Sequence, residues 1–327
     1  MSIEASEQFV VGIDVGGTGL KGAVVTLQGH VHLQEHRPTH RERGPKAVIE
    51  SILNFASDLI KQAGNEHVAA AGVAIPGLVD EEAGIALKSV NLGWQDVPLH
   101  KLLEEHLGLP VAIGHDVRTA GFAEGLLGAA RGSENYLFLT LGTGIGAVMV
   151  LRGATYVGVN GVGGEFGHIM LRPHDGPLCA CGARGCIEAL ASASAVAQRY
   201  RTLAQITEEI GARDVAELAN AGNSIARQVW DDAIEALGLG LANYVTLLDP
   251  ERVVIGGGMA DAGQMLFEPL KEQLSKFVRF QPVPALLAAQ LGNNAGYLGA
   301  TLKAWVAAGI PQTELSWSQE AFSTAEL

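Results

Sequence analysis

Charge is scarce in this chain, and positive charge scarcest. Of its 327 residues 17% are charged, with 22 lysines and arginines against 35 aspartates and glutamates, for a net charge of −13. A surface so poor in cations has no non-specific hold on nucleic acid or on an anionic membrane. Any phosphate it binds must be met by backbone N–H groups, magnesium and a few local cations. Aromatic residues are sparse too, at 6%. No apolar run approaches the roughly 18–20 residues that span a bilayer, and no signal peptide opens the chain, so a cytoplasmic protein is expected. The pattern G-x-x-x-x-G-K-S/T is absent, which removes a P-loop. Cysteines number three, and in an unexported protein their close spacing favours metal over disulfide. What is abundant is glycine, at 42 residues, within a sequence that is 48% hydrophobic. That mix suits an α/β enzyme with many tight turns and a core large enough to split into two lobes.

All the cysteines fall in one short stretch, Cys179-x-Cys181-x4-Cys186, with Gly182 and Gly185 between them. Thiolates crowded this closely form a metal-ligand pattern, because zinc takes four sulfur or nitrogen donors in a tetrahedron. The expected fourth ligand is His168, with His174 as its competitor; the bland alternative is three idle, reduced thiols. Two acids, Glu165 and Glu188, bracket the stretch.

Along the chain, Phe9–Val15 reads as a buried strand ending at Gly16-Gly17-Thr18-Gly19. Residues 21–27 read as a second strand and 30–36 as a third. A strand that turns on glycines into another strand can present N–H groups to an anion. Gly17-x-Gly19-x-x-Gly22 formally matches the dinucleotide fingerprint, but that motif must open a helix, and here it opens the β-rich run Ala23-Val24-Val25-Thr26. A helix runs from Pro45 to Gly64, with Val48, Ile52, Phe55, Leu59 and Ile60 on one stripe. Strands follow at 68–75 and 111–114, a short helix at 99–107 and another at 118–130. The pattern then restarts: strand 136–141, turn Gly142-Thr143-Gly144, return strand 147–151. A third glycine turn, Gly256-Gly257-Gly258, follows the strand 252–255. Helices are expected at 224–248, 263–277 and 294–308, with residues 1–8 loose and 311–327 a frayed tail.

The run Glu165-Phe166-Gly167-His168, then Cys179-x-Cys181-Gly182-x2-Gly185-Cys186-x-Glu188, resembles the zinc-and-sugar signature of the ROK family (repressors, open reading frames and sugar kinases). The similarity extends from about residue 10 to about residue 308. It implies a two-lobed sugar kinase/actin-like fold of duplicated ribonuclease H-like domains with a structural zinc loop. The small lobe would be 1–115 with the returning helix 294–310, and the large lobe 116–293, with nucleotide in the cleft. It implies ATP with Mg²⁺ as phosphoryl donor, and Asp14 as the residue that orients magnesium through its waters. Gly16, Gly17, Thr18, Lys21 and Gly142–Gly144 would meet the phosphates, and Gly256–Gly258 the nucleoside. Asp14 also reads as a turn cap, and Lys21 as a surface lysine.

Asp116 falls where the family has its catalytic aspartate, usually in an Asn-Asp-Ala-Asn setting; this chain has His115-Asp116-Val117-Arg118. A helix N-cap is the alternative role. Gly77, Asn91, Glu165, His168 and Glu188 would recognise the hexose, with zinc fixing the His168 ring; a catalytic zinc is the lesser reading. Asn91-Leu92-Gly93-Trp94 with Pro98-Leu99 is similar to glucokinases of the family, as is Ala191-Ser192-Ala193-Ser194-Ala195, where Ala193 replaces a glycine. Glucose phosphorylation is thus favoured over N-acetylmannosamine, N-acetylglucosamine, mannose or fructose as acceptor, and ATP over polyphosphate as donor. A non-enzymatic, sugar-sensing repressor is disfavoured, because the Asp14 hairpin starts about ten residues in, leaving no space for a helix-turn-helix domain. Family resemblance further implies a homodimer or homotetramer.

Overall fold

The computed structural model describes residues 8–315, 317–318 and 321, which fold as two compact units. One takes the described residues through Arg131 and resumes at Asn293; the other is Gly132–Gly292. Where the sequence suggests a crossing at 115/116, the helix that begins there stays with the first unit.

In the first unit β1 (Phe9–Val15), β2 (Gly19–Thr26) and β3 (Val31–Pro38) form an antiparallel meander. Helix α1 (Pro45–Ala63) carries the chain back to β4 (Val68–Ile75), parallel to β1. A small antiparallel sheet of β5 (Leu78–Asp80), β6 (Ile85–Ser89) and β7 (Trp94–Val97) precedes α2 (Leu99–Leu107). Then β8 (Val111–His115) pairs parallel with β4 and leads into α3 (Asp116–Leu126), giving the order β3-β2-β1-β4-β8. Strand alternation sorts β1 cleanly. Phe9, Val11, Ile13 and Val15 pack on the α1 stripe of Val48, Ile52, Phe55 and Leu59, each buried side chain contributing about 1.5–3 kcal/mol.

The second unit repeats the plan. Its meander is β9 (Tyr136–Leu141), β10 (Ile145–Leu151) and β11 (Ala154–Tyr156). The metal-ligand stretch follows, then α4 (Ile187–Ala191), α5 (Ala193–Ala204), α6 (Ala212–Asn220) and α7 (Ser224–Leu248). Strand β12 (Arg252–Gly256) pairs parallel with β9, and after α8 (Gln264–Phe277) β13 (Ala285–Ala288) pairs parallel with β12. The order β11-β10-β9-β12-β13 matches the first sheet strand for strand, in direction as well as position. An echo legible in the sequence as two strands and a turn is therefore five strands long.

The chain ends in the first unit, where α9 (Ala295–Ala307) lies across the face of β1 and β4 opposite α1. Glycines admit it. A Cβ at Gly72 would stand 1.9 Å from the Ala300 oxygen, and one at Gly299 would stand 2.1 Å from the Thr119 oxygen in α3. Gly12 faces Thr301 in the same way, and Asp14, two residues on, comes to rest against Gly296 in the first turn of α9.

Three expectations change. Helix α3 starts two residues earlier than its apolar spacing suggests, because His115 caps it: Nδ1 accepts the Arg118 amide at 3.4 Å. It stops at Leu126, where the buried Glu124 carboxylate accepts the Ala129 amide at 2.8 Å and closes a turn. The tail does not fray where it is described: the Trp317 indole covers Gly29 and donates from Nε1 to the Leu27 carbonyl at 2.9 Å. The rest of the expected tail, and residues 1–7 of the expected loose start, lie outside the described residues. Among the described residues no helix is long and apolar enough to cross a membrane.

Candidate functional site

Each unit assembles its own set of polar residues around a glycine turn. In the first, the turn after β1 is closed by the Gly16 amide donating to the Gly19 carbonyl at 2.8 Å. Thr39 staples it from outside, donating its hydroxyl to the Gly16 carbonyl at 2.8 Å and its amide to Thr18 at 3.1 Å. Asn91, in the turn between β6 and β7, and Arg41, just past β3, both approach Gly17. Arg41 is a cation that sequence reading did not single out, and it stands near this turn in addition to Lys21, whose charge acts on Asp14. Gly77 holds φ at +103°, and a Cβ there would meet the Lys88 carbonyl at 2.2 Å, so it locks β5 against β6. Lys21 donates from Nζ to the Asn293 carbonyl at 3.0 Å, tying β2 to the entrance of α9.

Two carboxylates dominate this unit. Burial pushes Asp14 up to about 6, against the pull of the Lys21 charge. Burial pushes Asp116 up to about 7 as well; the Val117 amide and Arg118 pull it down, and the charge of Asp14 pushes it further up. Asp116 is not walled off, since 33% of its side-chain surface stays exposed. Its Oδ1 accepts the Val117 amide at 2.7 Å and lies 3.3 Å from His115 Nε2. The N-cap role belongs to His115, not to Asp116, which is the first residue of the helix. Burial, with the Arg118 charge, drives His115 down to about 4, so its imidazole is neutral near pH 7. A capping Nδ1 must then be the acceptor and Nε2 the N–H that faces Asp116.

Behind them stands a network with no signal in local spacing. Glu81 Oε1 accepts Arg118 Nε at 2.7 Å and the His115 amide at 3.2 Å, and Glu81 Oε2 accepts Lys303 Nζ at 2.7 Å. Burial raises Glu81, yet Lys303 and Arg118 outweigh it and hold the carboxyl below its ordinary value. The partners of Glu81 come from remote segments of the chain.

In the second unit His168, Cys179, Cys181 and Cys186 place one donor atom each within 4.8 Å of one another, and His174 is not among them. Cys179 Sγ lies 3.7 Å from His168 Nδ1, and Cys181 Sγ lies 3.7 Å from Cys186 Sγ. A tetrahedral zinc with bonds of about 2.3 Å to sulfur sets neighbouring sulfurs about 3.8 Å apart, so the donor set fits that ion. Burial pushes the Cys186 thiol up to about 12 in the absence of a cation, which is the resistance a metal removes when it binds thiolate. Since Nδ1 points at the sulfurs, His168 Nε2 is left on the outer side, 3.8 Å from Glu165 Oε2.

Glu188, on α4 just after the Cys186 cap, reaches the other glycine turn: its Oε2 accepts the Ile145 amide at 2.9 Å. Thr143, Cys179 and Glu188 line one cavity of about 700 Å³ with Ser192, Gln198 and Arg199. Gly257, at φ +82°, packs against the Leu141 carbonyl, which brings the third glycine turn beside the second. Gly142 and Gly258 differ from it: a Cβ at either would meet nothing within 4 Å, so both border open space.

The comparisons with known proteins agree with this arrangement. The ROK family model matches residues 10–307. A glucokinase from Halalkalibacterium halodurans is 35% identical over 313 residues, spanning 90% of this chain and 94% of that protein. The crystal structure of a ROK hexokinase from Thermus thermophilus is 36% identical, with a TM-score of 0.81 over 91% of this chain and 98% of that one. A ROK glucokinase from Streptomyces griseus, crystallised with glucose and AMPPNP, is 29% identical with a TM-score of 0.76, over 91% and 99% of the respective chains. By its glycine turns, its ligand cluster and its repeated sheet, this chain belongs to the ROK family and has the family's mixed α/β, actin-like sugar kinase fold.

Proposed function

We propose that this protein transfers the terminal phosphoryl group of ATP to a hexose, with glucose as the preferred acceptor and its 6-hydroxyl as the nucleophile. The observation that carries the reading is Asp116. It is a partly exposed carboxylate pushed up to about 7, with Oδ1 engaged by the Val117 amide. A base whose affinity for protons matches the working pH takes the hydroxyl proton most effectively as the oxygen bonds to phosphorus and ADP departs. Oδ2 is the oxygen assigned to that proton.

Asn91, Glu165, His168 and Glu188 hold the sugar hydroxyls, with Gly77 shaping the floor. The amides around Gly16–Thr18 and Gly142–Gly144 receive the phosphates, with Thr18 and Lys21 beside the first turn, and Gly256–Gly258 leaves space for the nucleoside. Magnesium that enters with ATP supplies charge neutralisation at the phosphates. Asp14, a deep carboxylate raised by burial, is the group a hydrated cation would relieve. His168, Cys179, Cys181 and Cys186 would hold zinc, and four protein donors are what a structural ion that supplies rigidity would take. Identity with glucokinases at 30% and above supports glucose. Assaying ADP release with ATP across glucose, mannose, fructose, N-acetylglucosamine and N-acetylmannosamine tests the assignment. Turnover confined to an N-acetylated sugar would replace glucose; turnover with none of them would remove the kinase reading.

A further inference from the structure

Glu188 stands between two features that family resemblance treats separately, the metal-ligand loop and the second glycine turn. It is the second residue of α4, two positions after Cys186, and its Oε1 lies 3.9 Å from Cys179 Sγ. Its other oxygen crosses to the turn, where Oε2 accepts the Ile145 amide at 2.9 Å. The turn is shaped to receive it: a Cβ at position 144 would stand 2.5 Å from Oε2, so only glycine leaves the carboxylate its place. A second tie runs parallel, from the Ala193 amide at the start of α5 to the Gly142 carbonyl at 2.9 Å. Within the turn the Gly142 amide already donates to the Gly144 carbonyl at 3.0 Å. With Ile145 committed to Glu188, the amides of Thr143 and Gly144 are the ones left to meet an anion.

We propose that Glu188 is a positioning residue for the nucleotide side of the site: Oε2 fixes the Gly142–Ile145 turn in its anion-receiving shape, while Oε1 serves the sugar. The metal loop thereby braces the phosphate turn through one side chain. This rests on the kinase reading given above, which places nucleotide phosphates at that turn.

The test separates the two oxygens. Calorimetric titration of the zinc-loaded full chain with Mg-AMPPNP, and separately with glucose, is carried out for wild type, Glu188→Ala, Glu188→Gln and Gly144→Ala. Glu188→Ala weakens both ligands, the nucleotide by about tenfold, the worth of one hydrogen bond to a charged group. Glu188→Gln keeps an oxygen for the Ile145 amide, so nucleotide affinity returns to within about twofold while glucose affinity stays low. Gly144→Ala displaces the carboxylate without removing it and reproduces the nucleotide loss of Glu188→Ala, which keeps the test open if the latter fails to fold. Hydrogen exchange at the Ile145 amide, read without any ligand, accelerates in Glu188→Ala and not in Glu188→Gln. Loss of glucose binding alone, with Ile145 exchange unchanged, would overturn the proposal. If wild type binds both ligands and phosphorylates no sugar, the kinase reading fails, while the exchange result still decides the role of Glu188.

Discussion

The two five-stranded sheets have the same strand order, yet their glycine turns are finished in opposite ways. At the first, α9 settles on Gly12 and Gly72 and buries the end of β1, where Asp14 is raised by that burial and its charge in turn raises Asp116. At the second, the residue that meets the turn comes from beside the metal-ligand loop: Glu188 reaches across and accepts the Ile145 amide. One frame thus yields a turn beside acids that hold protons tightly and a turn held open by a cross-brace. A fold places a turn, and what covers it decides its chemistry.

The sharpest way to break the comparison is at its acid. Asp116→Asn is expected to lower turnover by about 10²–10⁴-fold while glucose binding persists, as read by kcat against calorimetric affinity. Near-normal turnover would remove the base from the first turn. On the second side, wild type is expected to carry about one zinc per chain by elemental analysis, and Cys181→Ser to lose it along with part of its thermal stability. Metal-free wild type of undiminished stability would reduce the thiol cluster to packing.

Smaller effects sharpen the contrast between glycines used for packing and glycines that leave space. Gly72→Ala drives a methyl group into the Ala300 carbonyl and should cost about 3 kcal/mol in denaturant unfolding. Gly258→Ala, whose Cβ meets nothing within 4 Å, should change stability by less than about 0.5 kcal/mol and weaken nucleotide instead.

The smallest expected effect is one of pH. Asp14 and Asp116 are raised to about 6 and about 7, so between about pH 4 and pH 7 the folded chain binds more protons than the unfolded one. Their ionisation therefore erodes stability as pH rises through that window, and Asp116→Asn should melt slightly higher than wild type at pH 8. The same ionisation makes kcat/KM fall as pH drops below about 7, so activity and stability should move in opposite directions across the window.

Much of this was legible in the residues. The thiol spacing and His168 named the ligand set, and three glycine turns marked where strands end. Asp116 stood out at the end of a strand. The small sheet β5–β7 was not legible, because strands of three to five half-exposed residues carry too little period to register. Nor was the Glu81–Arg118–Lys303 network, whose members come from a turn, a helix and the last helix and meet only in the fold. Arg41 lay in a charged run that reads as ordinary surface, and the buried Trp317 in a stretch too polar to suggest docking.

The glycine seats under α9 also bear on how the polypeptide matures. Everything needed to close residues 132–292 leaves the ribosome ahead of α9, whereas the face of β1 and β4 stays uncovered until the final helix emerges. During synthesis the middle of the chain can therefore be finished while its beginning still waits, presenting bare strand to whatever chaperone or neighbouring nascent chain is near. A truncation that trims the last helix would strand the beginning of the protein in that unfinished state.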